Sequence, residues 1–551
     1  VTNVSIGQQS SAKNTTGAGN VVVGKSGLHD NTTGNENTSI GHKVLNANTT
    51  ASYNTGLGAC ALMCNTTGNQ LVANGFRALT KNTTGSENTA SGAYALTCNT
   101  TGCENAAFGR KAMCCNSTGF NNAAFGQAAL VINSTGYENV AVGNRAMTHN
   151  SSGCWNTGIG AKALCANTTA CYNTAVGGCS LMVNTTGYSN TAVGFGSLCA
   201  NTCGDHNTAV GMNSMRDNTT GYRNTSIGRS ALRGNTTGFR NTASGYYALN
   251  KNTTGYQNTA SGYFALRCNT TGDHNTAVGL CALHSNTTAD YNTGIGWRAL
   301  LTNTTGARNT ATGMYALHSN TTGGCNTASG SYSLYANTTG CNNVATGYKA
   351  LEDNTTGRHN VATGNFALCS NTTAGYNTAM GTYSLYDNTT GAGNLALGYS
   401  ALQNNTTACY NTAVGYAALY DNTTGGLNTA VGRQALENNT SGGKNTASGY
   451  FALGSNTTGS CNDAFGWNAL VTNTTGVNNT GPVPALSNKP GEDLIGSRGQ
   501  AQVQIVVPDD FSEPYLKYVD HAYLNTNFEP GEVADPTVEM IARGVVGFRN
   551  L

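Results

Sequence analysis

The sequence predicts an all-β protein, a β-solenoid or β-roll of about 28 coils of 17 residues. Three observations carry that prediction. A 17-residue phrase, Asn-Thr-Thr-Gly-x-x-Asn-Thr-Ala-x-Gly-x-x-Ala-Leu-x-x, recurs in fixed register, its first Asn at 14, 31, 48, 65, 82 and every 17 residues to 473. A period held so strictly means that each unit is one turn of a stack and not a domain of its own. Charged residues make up only 9% of the chain, against about 25% in ordinary globular proteins. All seven prolines, from Pro482 to Pro536, follow the repeat. Proline has no backbone N–H, so its absence from the repeat suits an unbroken hydrogen-bonded ladder.

Two parts follow: a repeat shaft over residues 1–481, and a proline-containing cap, attachment or tip domain over 482–551. Asn3 and Gly7 stand in register with Asn20 and Gly24, so the chain opens inside a repeat, and we expect an upstream part to have preceded Val1. The formal net charge is +2, which gives no electrostatic reason to expect nucleic acid. No run of 18 apolar residues occurs, so membrane insertion is not expected.

With the first Asn as position 1, each position has a physical reading. Asn at position 7 (Asn88, Asn105, Asn122) holds in every unit but one, where Leu71 replaces it. Stacked at about 4.7–4.9 Å, such residues can form amide ladders, as can Asn at position 1. Leu at position 15 (Leu96, Leu130) forms an apolar column, and the small residues at 9 and 14 keep the coil thin. Gly at positions 4 and 11 (Gly92 and Gly109 at 11) is expected to supply positive φ at corners. The pairs at 5–6, 12–13 and 16–17 vary freely and read as exposed edges.

Positions 8 and 10 point away from 7 and 9 in an extended segment. Position 10 is often apolar (Phe108, Phe125, Val142, Ile159). If 7 and 9 face inward, 8 and 10 form a second, partly apolar surface, and a long apolar stripe is usually covered by another chain. That argues for a homotrimer or other bundle; the alternative is a wider coil with both faces inside. Twenty-eight coils give a rod of roughly 130 Å. Pro482 and Pro484 end the last coil, where they would block an open strand edge.

These residues resemble a known group. Asn-Thr-Ala-Val-Gly, at Asn173–Gly177, Asn190–Gly194 and Asn207–Gly211, resembles the Asn-Ser-x-Ala-Ile-Gly coil motif of trimeric autotransporter adhesin heads, which are left-handed β-rolls in parallel trimers. The longer phrase is similar to repeats in bacteriophage and marine-virus tail-fibre proteins. The resemblance covers about residues 1–481. It implies a parallel homotrimer, an extracellular or virion-surface location, and host attachment through a cell-surface glycan or receptor.

Candidate chemistry is sparse. The 19 cysteines all lie in the repeat, at positions 5, 6, 13, 16 and 17 apart from Cys203. Cys98 with Cys115, and Cys154 with Cys171, stand one coil apart at the same position, within reach of a disulfide. The alternative is drift to a small residue at a loose corner. Position 1 makes an N-glycosylation sequon in all units but that of Asn201, although an Asn engaged in a ladder cannot also carry sugar. Tyr246, Tyr247, Tyr263 and Trp297 are candidate glycan-contacting aromatics, the alternative being columns that cover the coil corners. The histidines are too scattered for a metal site. No nucleophile motif, phosphate loop or paired carboxylate stands out, so neither catalysis nor a cofactor is expected. Thr at positions 2 and 3 points to opposite faces, so an ice-binding rank is not obvious.

Beyond the repeat, residues 501–507 alternate as a strand, while 515–524 and 538–546 read as either strand or short helix. The expected function is the shaft of a viral tail fibre. A bacterial adhesin stalk, a self-assembling extracellular filament and, last, an ice-binding protein are the alternatives.

Overall fold

The structure is a computed structural model and describes residues 2–481. The C-terminal domain, the closing prolines and the strand expected at 501–507 lie outside the described residues. Those described form an all-β parallel solenoid of about 28 turns of 17 residues, made of strands, turns and bends, with no helix among them. The chain divides into two compact units, one ending at Asn377 and one beginning at Thr378. In the first, three-residue strands run from β1 (Val4–Ile6) and β2 (Val21–Val23) to β22 (Val361–Thr363); in the second, they run from β23 (Thr378–Met380) to β28 (Asp463–Phe465), with Thr480–Gly481 last.

Within each unit the full strands occupy positions 8–10 and pair in register with the coil below. Thr191 lies against Thr208, Ala192 against Ala209 and Val193 against Val210. The axial hydrogen bonds continue well beyond the strand. In the coil that starts at Asn48, Gly58 N donates to Ile40 O at 3.0 Å, Cys60 N to His42 O at 2.9 Å and Leu62 N to Ala78 O at 3.0 Å. Cys64 N donates to Thr80 O at 3.0 Å and Thr66 N to Thr83 O at 3.0 Å. The turns are thus laddered as completely as the strands, which satisfies backbone groups that a proline or an insertion would orphan.

The interior is built from five positions. Leu96, Leu130 and their counterparts at position 15 from Leu28 to Leu453 are fully buried, and the small residues at positions 9 and 14 of the same coils are buried with them. Positions 9 and 14 share one space and compensate in size. Val22 at position 9 faces Gly27 at 14, where an added Cβ would meet Val22 Cγ1 at 2.9 Å; Gly56 at 9 faces Val44 at 14, at 2.4 Å from Val44 Cγ1. Where both are serine, Ser214 Oγ donates to Ser226 Oγ at 2.7 Å.

The asparagines form the two expected ladders, and the ladders meet. Asn116 Nδ2 donates to Asn99 Oδ1 at 2.7 Å and to Gly119 O at 2.9 Å. Asn105 Nδ2 donates to the same Gly119 O at 2.8 Å, while Asn105 N and Nδ2 both reach Asn88 Oδ1 at 3.0 Å. Asn122 repeats the pattern, its N and Nδ2 each 3.1 Å from Asn105 Oδ1. The position-4 carbonyl therefore uses both lone pairs, one for each ladder. Leu71 interrupts one ladder: its N still donates to Asn54 Oδ1 at 3.0 Å, but its side chain offers nothing to the amide of Asn88.

The expectation for glycine is half corrected. At position 11 it holds: Gly92 has φ 141 and Gly109 φ 132. A Cβ on Gly92 would also lie 2.5 Å from Gly109 O. At position 4 glycine does not have positive φ. There the demand is space, since a Cβ on Gly119 would lie 2.4 Å from both Asn116 Oδ1 and Gly136 O. The left-handed corners fall instead on non-glycine residues at positions 6, 13 and 15, as at Gln257 (φ 53), Lys162 (φ 58) and Leu96 (φ 48). An L-residue in that region costs roughly 1–2 kcal/mol, and β-branched residues suffer most. In this threonine-rich chain, no Val, Ile or Thr occupies 6, 13 or 15. That exclusion is the signal by which the corners could have been found.

Two substitutions test this account. Gln257 is exposed, so Gln257→Val should lower stability by about 1–2 kcal/mol through backbone strain alone, while Gln257→Gly should be neutral or stabilising in the same denaturation experiment. Asn258→Asp keeps the shape but removes the Nδ2 donor to Gly272 O, now at 2.8 Å. Placing a carboxylate against that carbonyl should cost about 3 kcal/mol or more, read as faster amide hydrogen exchange in the neighbouring coils.

Candidate functional site

With the interior filled, any functional site must lie on the surface, and the surface has distinct faces. The first is the outer face of the sheet. Position 9 is buried in every full strand from Val21–Val23 to Asp463–Phe465, while 8 and 10 are half-buried or exposed. Of the two arrangements open from the sequence, the coil is therefore the thin one, with a second face outside. Its apolar residues include Ile159, Ile227 and Phe465, and Phe108 stacks on Phe125 at 4.9 Å.

This face contains a rank that sequence reasoning missed. From Thr157 to Thr327, position 8 is threonine on eleven consecutive strands, and position 10 beside it is Ile, Val, Ser or Thr, with no charge. The Thr-Thr pair at positions 2 and 3 forms no such rank. The position-2 hydroxyl is spent on the ladder, as in Thr253 Oγ1 to Thr270 O at 3.0 Å, while position 3, as at Thr254, is exposed.

The second face is the aromatic corners. Rings at one position in successive coils stack because the coil rise matches ring separation: Tyr222 with Phe239 at 5.0 Å, Phe239 with Tyr256 at 4.8 Å, Tyr246 with Tyr263 at 5.2 Å. Tyr246 also meets Tyr247 edge-on at 4.5 Å, and Arg267 lies over Tyr247 at 5.8 Å. Trp297 belongs to a separate cluster with Tyr315 (4.7 Å) and Arg298 (5.2 Å), because Leu280 interrupts the column. The structure thus brings three of the four candidate glycan contacts together. Stacking turns much of their ring faces toward each other, which leaves fewer faces for a sugar.

The cysteine pairs differ. Cys154 Sγ lies 2.7 Å from Cys171 Sγ, and Cys171 Sγ accepts Cys154 N at 3.1 Å. Both are free thiols. Burial first, then the hydrogen bond from Cys171, pushes the Cys154 thiol up to about 11. At the other pair, Cys98 and Cys115 both lie near Cys114, whose thiol is pushed up to about 11 mainly by burial. Position 5 also has a role not anticipated: its amide donates to the position-5 side chain of the next coil. Asn35 N reaches Ser52 Oγ at 2.9 Å, Asp273 N reaches Asp290 Oδ1 at 2.8 Å, and Ser86 N reaches Cys103 Sγ at 3.4 Å. Asn, Ser, Asp and Cys recur there as acceptors for an otherwise unpaired donor.

The sequon asparagines, such as Asn252 and Asn269, are fully buried with both amide hydrogens engaged, so a glycan there would require opening the ladder. Among the described residues, no group of three His, Cys, Asp or Glu is placed to hold a metal ion, and no helix is long and apolar enough to cross a membrane. A comparison with protein-family models finds no match, and no curated protein matches the chain.

The thiols give a pH prediction. Cys154 and Cys369, the latter pushed up to about 12 chiefly by burial, have folded pKa values above their ordinary 9.0. The protonated form is favoured in the fold, so their contribution to stability is intact below pH 9 and is lost as pH rises through about 11–12. Alkylation of Cys154 in the native chain should remain slow at pH 9 and accelerate above it, as followed by mass spectrometry of labelled peptides; fast labelling at neutral pH would contradict the burial argument.

Proposed function

We propose that the chain is the structural shaft of an extracellular or virion-surface fibre that serves host attachment, assembled as a parallel homo-oligomer, with a trimer expected from the resemblance in its repeats. The observation that carries this reading is the outer sheet face, repeated in register coil after coil and free of charge at positions 8 and 10 until Asp463 in the last full strand. Exposed apolar surface of that extent favours a covering partner, and a second copy in parallel register sets like residues side by side along the whole face. A three-residue strand at this spacing offers about 50 Å² per coil, so about sixteen coils supply the ~800 Å² per partner typical of a stable interface. The filled interior and laddered turns favour a mechanical role over a catalytic one.

One further reading has an observation of its own. An in-register array of threonine hydroxyls flanked mostly by methyl-bearing residues suits the ordering of water, so the rank from Thr157 to Thr327 supports ice binding. The two readings compete for one face, since a face covered by other chains cannot meet ice.

Sedimentation equilibrium of the purified full chain should give a trimer mass. Val193→Asp, at an outward position of the sheet, should leave the coil folded and dissociate the assembly. A monomeric wild-type chain that inhibits ice recrystallisation would transfer the assignment to the second reading.

A further inference from the structure

Position 13 normally carries a large side chain at the corner of the coil, such as Tyr315, Tyr332, Lys349 or Phe366. In the second unit two small residues follow one another there, Ser400 and Ala417, both almost fully buried. The gap they leave is a notch of about 370 Å³. Tyr383 and Gln434, at position 13 of the coils before and after, line it together with Tyr399 and Tyr416 at position 12 and Gln403 and Tyr420 at position 16.

The chemistry of the walls is specific. Tyr399 and Tyr416 stack on each other at 5.5 Å and remain about half exposed. Tyr383 stands at 83° to Tyr399, so the rings bound the notch from two directions. Glu437 also lines it, and its carboxylate is held in place by Gln434, whose Nε2 donates to Oε1 at 2.9 Å and to Oε2 at 3.1 Å. Gln403 Nε2 reaches Tyr420 Oη at 3.5 Å. Neighbouring Arg433 is drawn over the outer column, 5.4 Å from the Tyr416 ring and 5.8 Å from Tyr450. No lysine or arginine lines the notch.

We propose that this notch binds a neutral pyranose unit of a glycan. Aromatic walls pack against the apolar C–H groups of a sugar ring, here through Tyr383 and the half-exposed parts of Tyr399 and Tyr416 that their mutual stacking leaves open, and an oriented carboxylate with two amides takes its hydroxyls. The carboxylate, with no cation in the lining, disfavours uronic and sialic acids. Such a site deepens the attachment reading by naming the class of receptor, and it rests on that reading for its biological use.

The test uses the full chain and a panel of neutral methyl pyranosides, with sialyllactose and tetramethylammonium as contrasting probes, read by saturation-transfer NMR and calorimetry. The variant is Ala417→Tyr, which fills the notch with a residue that position 13 already accepts in the same backbone conformation at Tyr247, Tyr315 and Tyr332; an unchanged circular dichroism spectrum checks that it folds. At least one neutral pyranoside should bind the wild type, with affinity at least about tenfold lower in Ala417→Tyr. Glu437→Gln should weaken it less and relieve the exclusion of sialyllactose. Absence of pyranoside binding, undiminished binding by Ala417→Tyr, or preference for sialyllactose or tetramethylammonium would each overturn the proposal. A monomeric chain that binds sugar would keep the notch and remove the shaft, and an oligomer that binds none would do the reverse.

Discussion

The structure depends on the carbonyl at position 4. Two asparagine ladders, running up the stack at positions 1 and 7, converge on it, and each donates one amide hydrogen, as Asn105 and Asn116 do at Gly119. These groups are buried, where an unpaired amide costs far more than the hydrogen bond nets. Because each amide also touches the coil before or after it, the spacing between coils is fixed by side chains as well as by backbone. The 17-residue period follows, because a coil of any other length would take an Asn out of its column and leave several buried polar groups unsatisfied at once.

Much else accommodates that constraint. Glycine is required at position 4 by crowding around the shared carbonyl and at position 11 by crowding and conformation together. The left-handed residues at 6, 13 and 15 hold the backbone in strained corners, and stacking offsets the strain because neighbouring coils need the same corner in the same place. The interior then has little freedom, and variation is confined to the corners and the outer sheet face, where differences among coils can serve recognition.

The fold was legible to the extent that it depends on repetition. Coil length, the inward Leu and small residues, the asparagine ladders and the outward sense of positions 8 and 10 all follow from register and alternation. The corners were misread because glycine is the usual marker of positive φ, whereas Leu96 and Lys162 adopt it here with only the exclusion of β-branched residues to betray it. Surface features were harder to see. The threonine rank was overlooked in favour of the more conspicuous Thr-Thr pair, whose first hydroxyl is consumed by the ladder. The notch was invisible in principle, because it arises from what Ser400 and Ala417 lack, and a missing side chain becomes a cavity only when the rows on either side are known.

The position-5 acceptors show that each coil is completed by the one after it: the amide of Asn35 depends on Ser52, and the amide of Asp273 on Asp290. Dependence of this kind reaches only to the adjacent turn. Whole coils can therefore be duplicated or lost without disturbing any beyond their immediate neighbours, provided that complete 17-residue units are exchanged. The number of coils becomes a quantity that in-frame recombination can adjust by small fixed steps, while the surviving coils keep their cross-section and only features built across consecutive coils, such as the notch between Tyr383 and Gln434, are sensitive to where the exchange falls.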